Sequence, residues 1–242
     1  SALLGEDGTT TTITYLTPDR QEQTLDLVHT NYNTPTVSYQ MTAGTCGYIR
    51  IDAFGTSTAN EFKTAVDSLK EQGASCLVFD LRDNTGENLN AALVSADYCL
   101  PSGLIAQQED KDGNVTDLRM SDETEITLPV VCLVNGNTAA GAELFANALR
   151  KMGGATLVGT TTMGKGVVMS EAQSFSDGSA AFITVGILLD NEGQTWNDVG
   201  LTPDVDASLS ADEQSAYYDF TIETDPQISK AVNAAMSLSG QN

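Results

Sequence analysis

One lysine of this chain, which stands between two glycines, is a candidate general base. Lys165 lies in the segment GTTTMGKG and has no bulky residue beside it. A lysine amine can take a proton from a hydroxyl when burial and positive neighbours lower its pKa toward the working pH. Upstream, residues 128–134 (LPVVCLV) predict a buried strand, and a sharp turn and a helix follow it. An α/β protein places a nucleophile at such a turn, yet this helix begins with Ala139 and Ala140, which carry no hydroxyl.

The oxyanion of such a reaction needs backbone N–H donors, which a glycine turn and the first turn of a helix can supply. Gly86 lies in a polar turn after a predicted strand, and Gly141 lies in the first turn of the helix. Thr138 is better interpreted as the cap of that helix than as a nucleophile. From the residues alone, a surface turn lysine is as good an interpretation of Lys165 as a general base.

Three common kinds of catalytic or binding machinery are absent from the sequence. A Ser-His-Asp triad needs a histidine, and the single histidine, His29, falls in a predicted N-terminal hairpin. A phosphate-binding loop continues from its lysine into Ser or Thr and a helix, whereas Lys165 is followed by glycine. A zinc site needs clustered ligands, but the cysteines are dispersed, and apolar runs predict that Cys76 and Cys132 are buried. The four cysteines are Cys46, Cys76, Cys99 and Cys132. One disulfide bond among them stays an open alternative, and the sequence does not select its pair.

The composition predicts one large domain, or one domain plus a fragment, that does not bind nucleic acid. Hydrophobic residues make up 40% of the 242 residues, so a packed core is expected. The net charge is −22 with 11 Lys and Arg residues, whereas phosphate contacts need a basic face. Metal hydrolysis by carboxylates stays open, although most acidic residues fall on predicted surface. No apolar run approaches the length of a membrane span, and any leader or membrane anchor is expected upstream of the start, SALLGEDG.

Alternating strand and helix patterns organise the chain around a parallel sheet. Four regions are predicted: a hairpin over 1–32, a linker over 33–45, a core over 46–206 and a closing segment over 207–242. Because the core reads βα, βα, β-hairpin, βα, β, we expect an α/β fold with helices on the faces of its sheet. The predicted hairpin covers 101–120, and a later strand covers 180–185. Functional groups are then expected on turns at the carboxyl ends of the strands. These turns are 54–57, 82–86 and 135–138.

Seven segments, in order along the chain, carry a resemblance to one family. They are GYIRIDAF, FDLRDNTGENL, LVNGNTAAGAELFANAL, VGTTTMGKGVV, SDGSAAFIT, VGLTPDV and TDPQISKAVNAA. Together they resemble the C-terminal processing peptidases, or tail-specific proteases, which are Ser-Lys dyad serine peptidases with a DLRxNPGG turn and an NxxSASASE nucleophile segment. The resemblance implies a ClpP/crotonase-like core with a parallel-rich sheet and flanking helices. It also implies that residues 1–32 are the last part of a PDZ-like module.

The resemblance assigns a role to each candidate residue by its position. Lys165 corresponds to the general base, and Ala140 falls where the nucleophilic serine stands. Gly141 and Gly86 correspond to the two oxyanion N–H donors. Met169 falls where the family often has a glutamine that orients the lysine. The resemblance further implies a protein or peptide substrate cut near a C-terminal tail, no cofactor or metal, and an extracytoplasmic location.

Three departures from the family pattern bear on activity. Ala140 has no hydroxyl, so the chain as written should form no acyl-enzyme. Met169 replaces the orienting amide, and Thr85 and Glu87 replace Pro and Gly on either side of Gly86. Ala140 is explained by a deliberate Ser→Ala replacement, which the intact lysine loop favours, or by a natural pseudopeptidase that binds peptides or acts as a scaffold. A crotonase-type acyl-CoA enzyme would need a basic patch, which the scarcity of Lys and Arg disfavours.

Overall fold

The structure is a computed structural model that describes residues 5–30, 34–42, 44–122 and 125–240. It divides into two compact units, Ser1–Thr34 and Pro35–Asn242. The first unit is an antiparallel hairpin of β1 (Thr10–Leu16) and β2 (Glu22–Val28), and most of its side chains are exposed. The predicted N-terminal hairpin is therefore present, and its origin in a PDZ-like module stays a prediction.

The second unit alternates strands with helices for most of its length. In chain order its elements are β3 (Val37–Met41), β4 (Cys46–Ile51), α1 (Thr58–Glu71), β5 (Cys76–Asp80), α2 (Leu89–Asp97), β6 (Gly103–Asp110), β7 (Val115–Ser121), β8 (Val130–Val134), α3 (Gly141–Gly153), β9 (Thr156–Gly159), β10 (Val167–Met169), β11 (Gln173–Ser174), β12 (Ala180–Ala181), β13 (Thr184–Asp190), β14 (Val205–Asp206), α4 (Ala211–Ser215) and α5 (Pro226–Ser239). Within the described ranges, no helix has both the length and the apolar character needed to cross a membrane.

The main sheet of this unit has six strands in the order β14-β9-β8-β5-β4-β3. Neighbouring strands run parallel from β14 to β4, and β3 joins the edge antiparallel. Strands that are buried on both faces need continuous apolar sequence, which β5 (CLVFD) and β8 (VVCLV) largely provide. The predicted α/β fold with a parallel-rich sheet and flanking helices is confirmed.

Alternate side chains of the main sheet belong to two separate cores. On one face, Ile49 and Phe79 lie in the same cluster as buried residues of α1, α2 and α3. On the other face, Tyr48 and Val78 cluster with α5. Because successive residues of a strand point to opposite faces, each short strand serves both layers. The aromatic rings at the centre of the first core are Phe54, Phe62, Phe79 and Phe145.

The four cysteines lie in these cores as free thiols. Cys46 and Cys76 are register partners on β4 and β5, in the core that α5 covers. Burial raises the pKa of the Cys46 thiol to about 12, so this thiol stays protonated at neutral pH. Cys99 and Cys132 lie in the other core. The prediction that Cys76 and Cys132 are buried is confirmed.

A second, antiparallel sheet has the strand order β10-β13-β6-β7 and contacts α2 and α3. The hairpin predicted over 101–120 is confirmed as β6 and β7. The strand predicted over 180–185 is instead divided between β12 and β13. The reason is that, among the described strands, β12 pairs with β11 alone, near the tip of a hairpin, whereas β13 continues to Asp190 alongside β6.

Two further local predictions differ from the structure. The segment 33–45, predicted as a linker, contains β3, which pairs with β4 along its whole length; residues 33 and 43 lie outside the described residues. Thr138 does not cap α3, since Ala140 occupies the cap position. The Thr138 hydroxyl instead donates to the Leu81 carbonyl oxygen at 2.8 Å, which ties the loop after β8 to the end of β5.

Candidate active site

The carboxyl ends of β5 and β8 bring the turn at 82–86 into contact with the loop at 135–141. The Gly141 N–H donates to the Gly86 carbonyl oxygen at 3.1 Å. Gly86 has a φ of +66°, and a Cβ at this position would lie 2.2 Å from the Ala139 carbonyl oxygen. Glycine is the residue that tolerates both the positive φ and such a close approach of two backbones. The two segments therefore form one continuous surface at this edge of the sheet.

Ala140, at the N-terminal cap of α3, has a backbone conformation that residues with a Cβ rarely adopt. Its φ is 46° and its ψ is −113°, outside the broad allowed regions. Conformations of this kind cost on the order of 1–3 kcal/mol and cluster at functional sites. The Ala140 N–H donates to the Glu143 carboxylate at 3.0 Å. The surrounding structure therefore holds position 140 in a strained turn although its side chain is a methyl group.

Glu143 is a fully buried carboxylate that links position 140 to the lysine loop. Its Oε2 atom accepts hydrogen bonds from the Ala140 N–H at 3.0 Å and from the Lys165 N–H at 2.8 Å. Its Oε1 atom accepts from the Gly164 N–H at 2.8 Å and from the Thr162 hydroxyl. Because two N–H groups share one oxygen atom, the backbones of Ala140 and Lys165 are adjacent.

The Lys165 side chain is exposed, and its ammonium group has no hydrogen bond or ion pair within the described part of the chain. The lysine loop itself is held from behind by the segment before β14. The Gly166 N–H donates to Asn197 Oδ1 at 3.1 Å, and the Asp198 N–H donates to the Gly164 carbonyl oxygen at 2.8 Å. The fold thus fixes the backbone of Lys165 and leaves its amine available to a substrate or to position 140.

The two glycine N–H groups that the sequence suggests as oxyanion donors both have internal acceptors. The Gly141 N–H donates to the Gly86 carbonyl oxygen, and the Gly86 N–H donates to Asn84 Oδ1 at 2.9 Å. Asn84 is itself fully buried, and its amide nitrogen donates to the Ile51 carbonyl oxygen at 2.8 Å. A substrate oxygen reaches the Gly141 N–H only if the Gly86 carbonyl turns away. The oxyanion role of these glycines stays a prediction.

Met169 lies on β10, the strand that follows the lysine loop. Its sulfur accepts a hydrogen bond from the Thr184 hydroxyl at 3.4 Å. A thioether is only a weak acceptor, so it cannot orient an ammonium group as strongly as an amide oxygen would. The interpretation of position 169 as the lysine-orienting position stays a prediction.

A network of buried charges lies behind the turn at 82–86. Asp80 accepts hydrogen bonds from Arg82 Nη2 and from the Tyr48 hydroxyl, each at 2.7 Å. Arg82, which is 3% exposed, also donates to Asp225 at 2.8 Å, at the start of α5. Burial by itself would raise the pKa of Asp80, but the hydrogen bonds and charge of Arg82 outweigh burial, and the pKa is lowered. This network fastens α5 to the turn that carries Gly86.

Comparison with known proteins assigns this chain to a family. Peptidase family S41 matches residues 45–207, which include every residue of the candidate site. The chain belongs to peptidase family S41. It is 35% identical over 185 residues to the carboxy-terminal processing protease CtpA of Bacillus subtilis, covering 76% of this chain and 40% of that protein. It is 34% identical over 161 residues to carboxyl-terminal-processing peptidase 3, chloroplastic, of Arabidopsis thaliana, covering 66% of this chain and 31% of that protein.

Solved structures of proteases share the S41 fold of this chain. The photosystem II D1 C-terminal processing protease matches with a TM-score of 0.65 and 26% identity, over 84% of this chain and 57% of that chain. The tricorn protease matches with a TM-score of 0.53 and 21% identity, over 82% of this chain and 18% of that chain, a likeness in fold alone. The resemblance to C-terminal processing serine proteases is confirmed. The chain spans 40% or less of the length of the two curated relatives named above.

Sequence reasoning does not identify Glu143 or Arg82 as parts of the site. For Glu143 a signal exists, because it stands at the capping-box position three residues after the cap Ala140. For Arg82 no local signal reveals its partner, since Asp225 lies far away in the sequence and meets it only when α5 covers the sheet.

Proposed function

We propose that the parent of this chain is a serine endopeptidase of the Ser-Lys dyad type that cleaves protein substrates near C-terminal tails. The observation that carries the proposal is the Glu143 oxygen that accepts from both Ala140 and Lys165, because it joins the two dyad positions. Membership of family S41 and the printed names of the relatives support the substrate class. We place the protein outside the cytoplasm, secreted or anchored on the outer side of a membrane.

In the proposed reaction a serine hydroxyl at position 140 attacks the carbonyl carbon of the scissile peptide bond. The Lys165 amine takes the hydroxyl proton, and the N–H groups of Gly141 and Gly86 stabilise the oxyanion once the Gly86 carbonyl has turned away. The C–N bond then breaks, and Lys165 returns the proton to the leaving amine. Water hydrolyses the acyl-enzyme with the same amine as base. The reaction uses no cofactor or metal.

The chain with Ala140 is expected to bind a substrate without forming the acyl-enzyme. We favour a Ser→Ala replacement as its origin, because the strained backbone at position 140 and the loop around Lys165 are both retained. The second candidate is a natural pseudopeptidase that binds peptides or serves as a scaffold. The exposed side chains of Met163 and Met169, two residues before and four residues after Lys165, suit either function.

The test is to introduce Ala140→Ser and to measure cleavage of an unstructured protein. We expect cleavage to appear, and to fall by about 100-fold or more when Lys165→Ala is added, because the general base is lost. Lys111→Ala is the matched control, since Lys111 lies on an exposed turn and its removal should leave the rate unchanged. A folded Ala140→Ser chain that cleaves nothing, with or without Lys165, would contradict the peptidase proposal and favour the binding protein.

A further inference from the structure

Two of the buried cysteines lie side by side on neighbouring strands. β4 begins at Cys46 and β5 begins at Cys76, and the two residues are register partners in this parallel pair. Neighbouring strands lie about 4.8 Å apart, which is inside the Cα separation of about 4.4–6.8 Å that a disulfide bond spans. Both side chains belong to the core that α5 covers, so they point to the same face of the sheet. The backbone positions and the side-chain directions therefore allow a bond between the two sulfur atoms.

The thiols of this pair are in contact, and the folded chain shields them from solvent. Burial, and then the hydrogen bond with the Cys76 thiol, raise the pKa of the Cys46 thiol to about 12. Both residues have a fractional exposure of 0%. Because a buried, protonated thiol is inert toward an external oxidant, the pair can be oxidised only before this core closes.

Helix α5 is the element that closes the core over the two cysteines. Four of its apolar residues belong to the same cluster, and these are Ile228, Ala231, Val232 and Ala235. Among the described helices α5 is the last in the chain, so β4 and β5 are synthesised well before it. During that interval the cysteine pair lies on an uncovered face of the sheet, where an oxidant can reach it.

The other pairings of the four cysteines are less suited to a bond. Cys99 and Cys132 lie in the core on the opposite face, so the main sheet separates them from the first pair. On β8, Cys132 has Phe79 as its register partner on β5. Cys99 lies beyond α2, and its thiol donates to the Ser95 carbonyl oxygen at 3.5 Å. Among the described strands, register pairing of two cysteines is therefore confined to the first pair.

We propose that Cys46 and Cys76 are a modification site, at which a disulfide bond forms while the chain folds in an oxidising compartment. The inference does not rest on the proposed peptidase activity. The proposed location outside the cytoplasm supplies such a compartment, because disulfide bonds form and persist there.

The co-reactant is an external disulfide, and the reaction is thiol–disulfide exchange. One cysteine thiolate attacks a sulfur atom of the external disulfide, so a mixed disulfide forms and one thiolate leaves. The second cysteine thiolate attacks the mixed disulfide, the bond between Cys46 and Cys76 forms, and the second thiolate of the oxidant leaves. Two protein thiols are thereby oxidised, and the external disulfide is reduced to two thiols that take up the two cysteine protons.

The bond connects the two strands that lead to the turns at 54–57 and 82–86. It also closes a loop over 47–75, which contains α1. A link of this kind stabilises a protein mainly because it restricts the unfolded chain. The chain with the bond should therefore unfold at a thermal midpoint roughly 5–15 °C above that of the same chain with free thiols.

The first test identifies the bond by mass spectrometry. The full chain is directed to the bacterial periplasm, which is oxidising, and its free thiols are blocked with N-ethylmaleimide in urea at mildly acidic pH. Trypsin, which cuts after Lys and Arg, places each cysteine in a separate peptide, and these peptides are 21–50, 71–82, 83–111 and 120–150. We expect peptides 21–50 and 71–82 to be linked, and Cys99 and Cys132 to be blocked. Four blocked cysteines, a different linked pair or a link between two chains would overturn the inference.

The second test compares the thermal midpoints of periplasmic and cytoplasmic preparations of the same chain. The midpoints should differ in the parent chain and coincide in the double variant Cys46→Ala/Cys76→Ala. The matched control, Cys99→Ala/Cys132→Ala, should keep the difference. Because each comparison is made within one variant, the packing that alanine removes affects both preparations equally. A difference that persists without Cys46 and Cys76 would contradict the proposed bond. Both tests use the chain with Ala140 and need no cleavage, so their outcome is independent of the peptidase test.

Discussion

Two buried carboxylates, Asp80 at the end of β5 and Glu143 in the first turn of α3, are stabilised by opposite kinds of partner. Both side chains are fully buried. Asp80 is paired with the guanidinium groups of Arg82 and Arg50. Glu143 accepts hydrogen bonds from three backbone N–H groups and one hydroxyl, and no Lys or Arg side chain in the described ranges pairs with it. Asp80 is therefore stabilised by positive charges, whereas Glu143 is stabilised by the dipoles of its hydrogen-bond donors.

This difference distinguishes the interactions that stabilise the fold from those that position the residues of the candidate active site. A buried ion pair leaves an uncompensated charge when one member is removed, and the Asp80 network connects β5 with α5 through Arg82 and Asp225. The donors to Glu143 all belong to the start of α3 and the lysine loop. At the first turn of a helix, a carboxylate is also favoured by the helix dipole. We therefore expect Asp80 to dominate stability and Glu143 to dominate activity.

The largest expected effect on stability comes from Arg82→Met. Removal of the guanidinium leaves Asp80 and Asp225 buried with fewer partners, which should lower the free energy of unfolding by about 3–5 kcal/mol. Urea unfolding followed by circular dichroism measures the change. Arg119→Met is the control, because its ion pair with Asp97 is partly exposed and should contribute less than about 1 kcal/mol. Equal losses of unfolding free energy in the two variants would show that the buried Asp80 network stabilises the fold no more than a partly exposed ion pair does.

Glu143→Gln should cost less stability than Arg82→Met and more activity. An amide of the same shape turns one acceptor into a donor facing N–H groups, which should cost about 1–3 kcal/mol. In the Ala140→Ser background the cleavage rate should also fall, because the lysine loop loses its link to position 140. Glu213→Gln is the matched control, since Glu213 holds the same capping-box position on the exposed helix α4. Unchanged cleavage in the Glu143→Gln chain would show that this carboxylate does not position the dyad.

Ala140→Gly should raise stability by about 1 kcal/mol, because glycine adopts the φ of 46° with less strain. Ala139→Gly is the control, since Ala139 is buried and its φ is not positive. The Ala139→Gly change removes a buried methyl group and adds backbone freedom, so it should lower stability instead. Thermal unfolding of the two variants compares them directly. A destabilised Ala140→Gly chain would show that position 140 is relaxed.

The smallest expected effect is a change in the pH dependence of stability when Asp80 is replaced. The folded-state pKa of Asp80 is lowered, as burial is outweighed by its arginine partners. Its contribution to stability is therefore present above its unfolded pKa of about 3.9 and is lost as the pH falls below that value. Urea midpoints between neutral and acidic pH should fall less steeply in Asp80→Asn. The exposed Asp219→Asn change is the control and should leave the slope nearly unaltered. A parallel slope in both variants would argue against a role for Asp80.

Elements with a strong local pattern could be predicted from the sequence. The apolar runs predict β5 and β8, and the Asp225-Pro226 pair predicts the start of α5, where the Asp225 carboxylate accepts from the Gln227 N–H at 2.7 Å. β3 could not be predicted, because its exposed residues become a strand only by pairing with the edge of β4. β13 likewise extends as far as its partner β6 allows.

The sequence predicts which positions form the candidate site, but it predicts only part of their geometry. The motifs bring Lys165 and position 140 to notice, and the resemblance assigns them roles. The hydrogen bond that closes Gly141 against Gly86 depends on two strand ends that meet in three dimensions. The same holds for the four donors that converge on Glu143, of which the sequence shows only a glutamate at a helix start.

The ion pair between Arg82 and Asp225 sets an order for the folding of the nascent chain. Every strand of the main sheet leaves the ribosome before Asp225 and α5 do. Until then, the Arg82 side chain has Asp80 but not Asp225 as an anionic partner. The core beside Cys46 and Cys76 also lacks its covering helix. The turn that carries Gly86 is therefore completed only after residues far beyond it have been synthesised. A ribosome that stops short of residue 225 releases a sheet with one face open to water and to other unfolded chains.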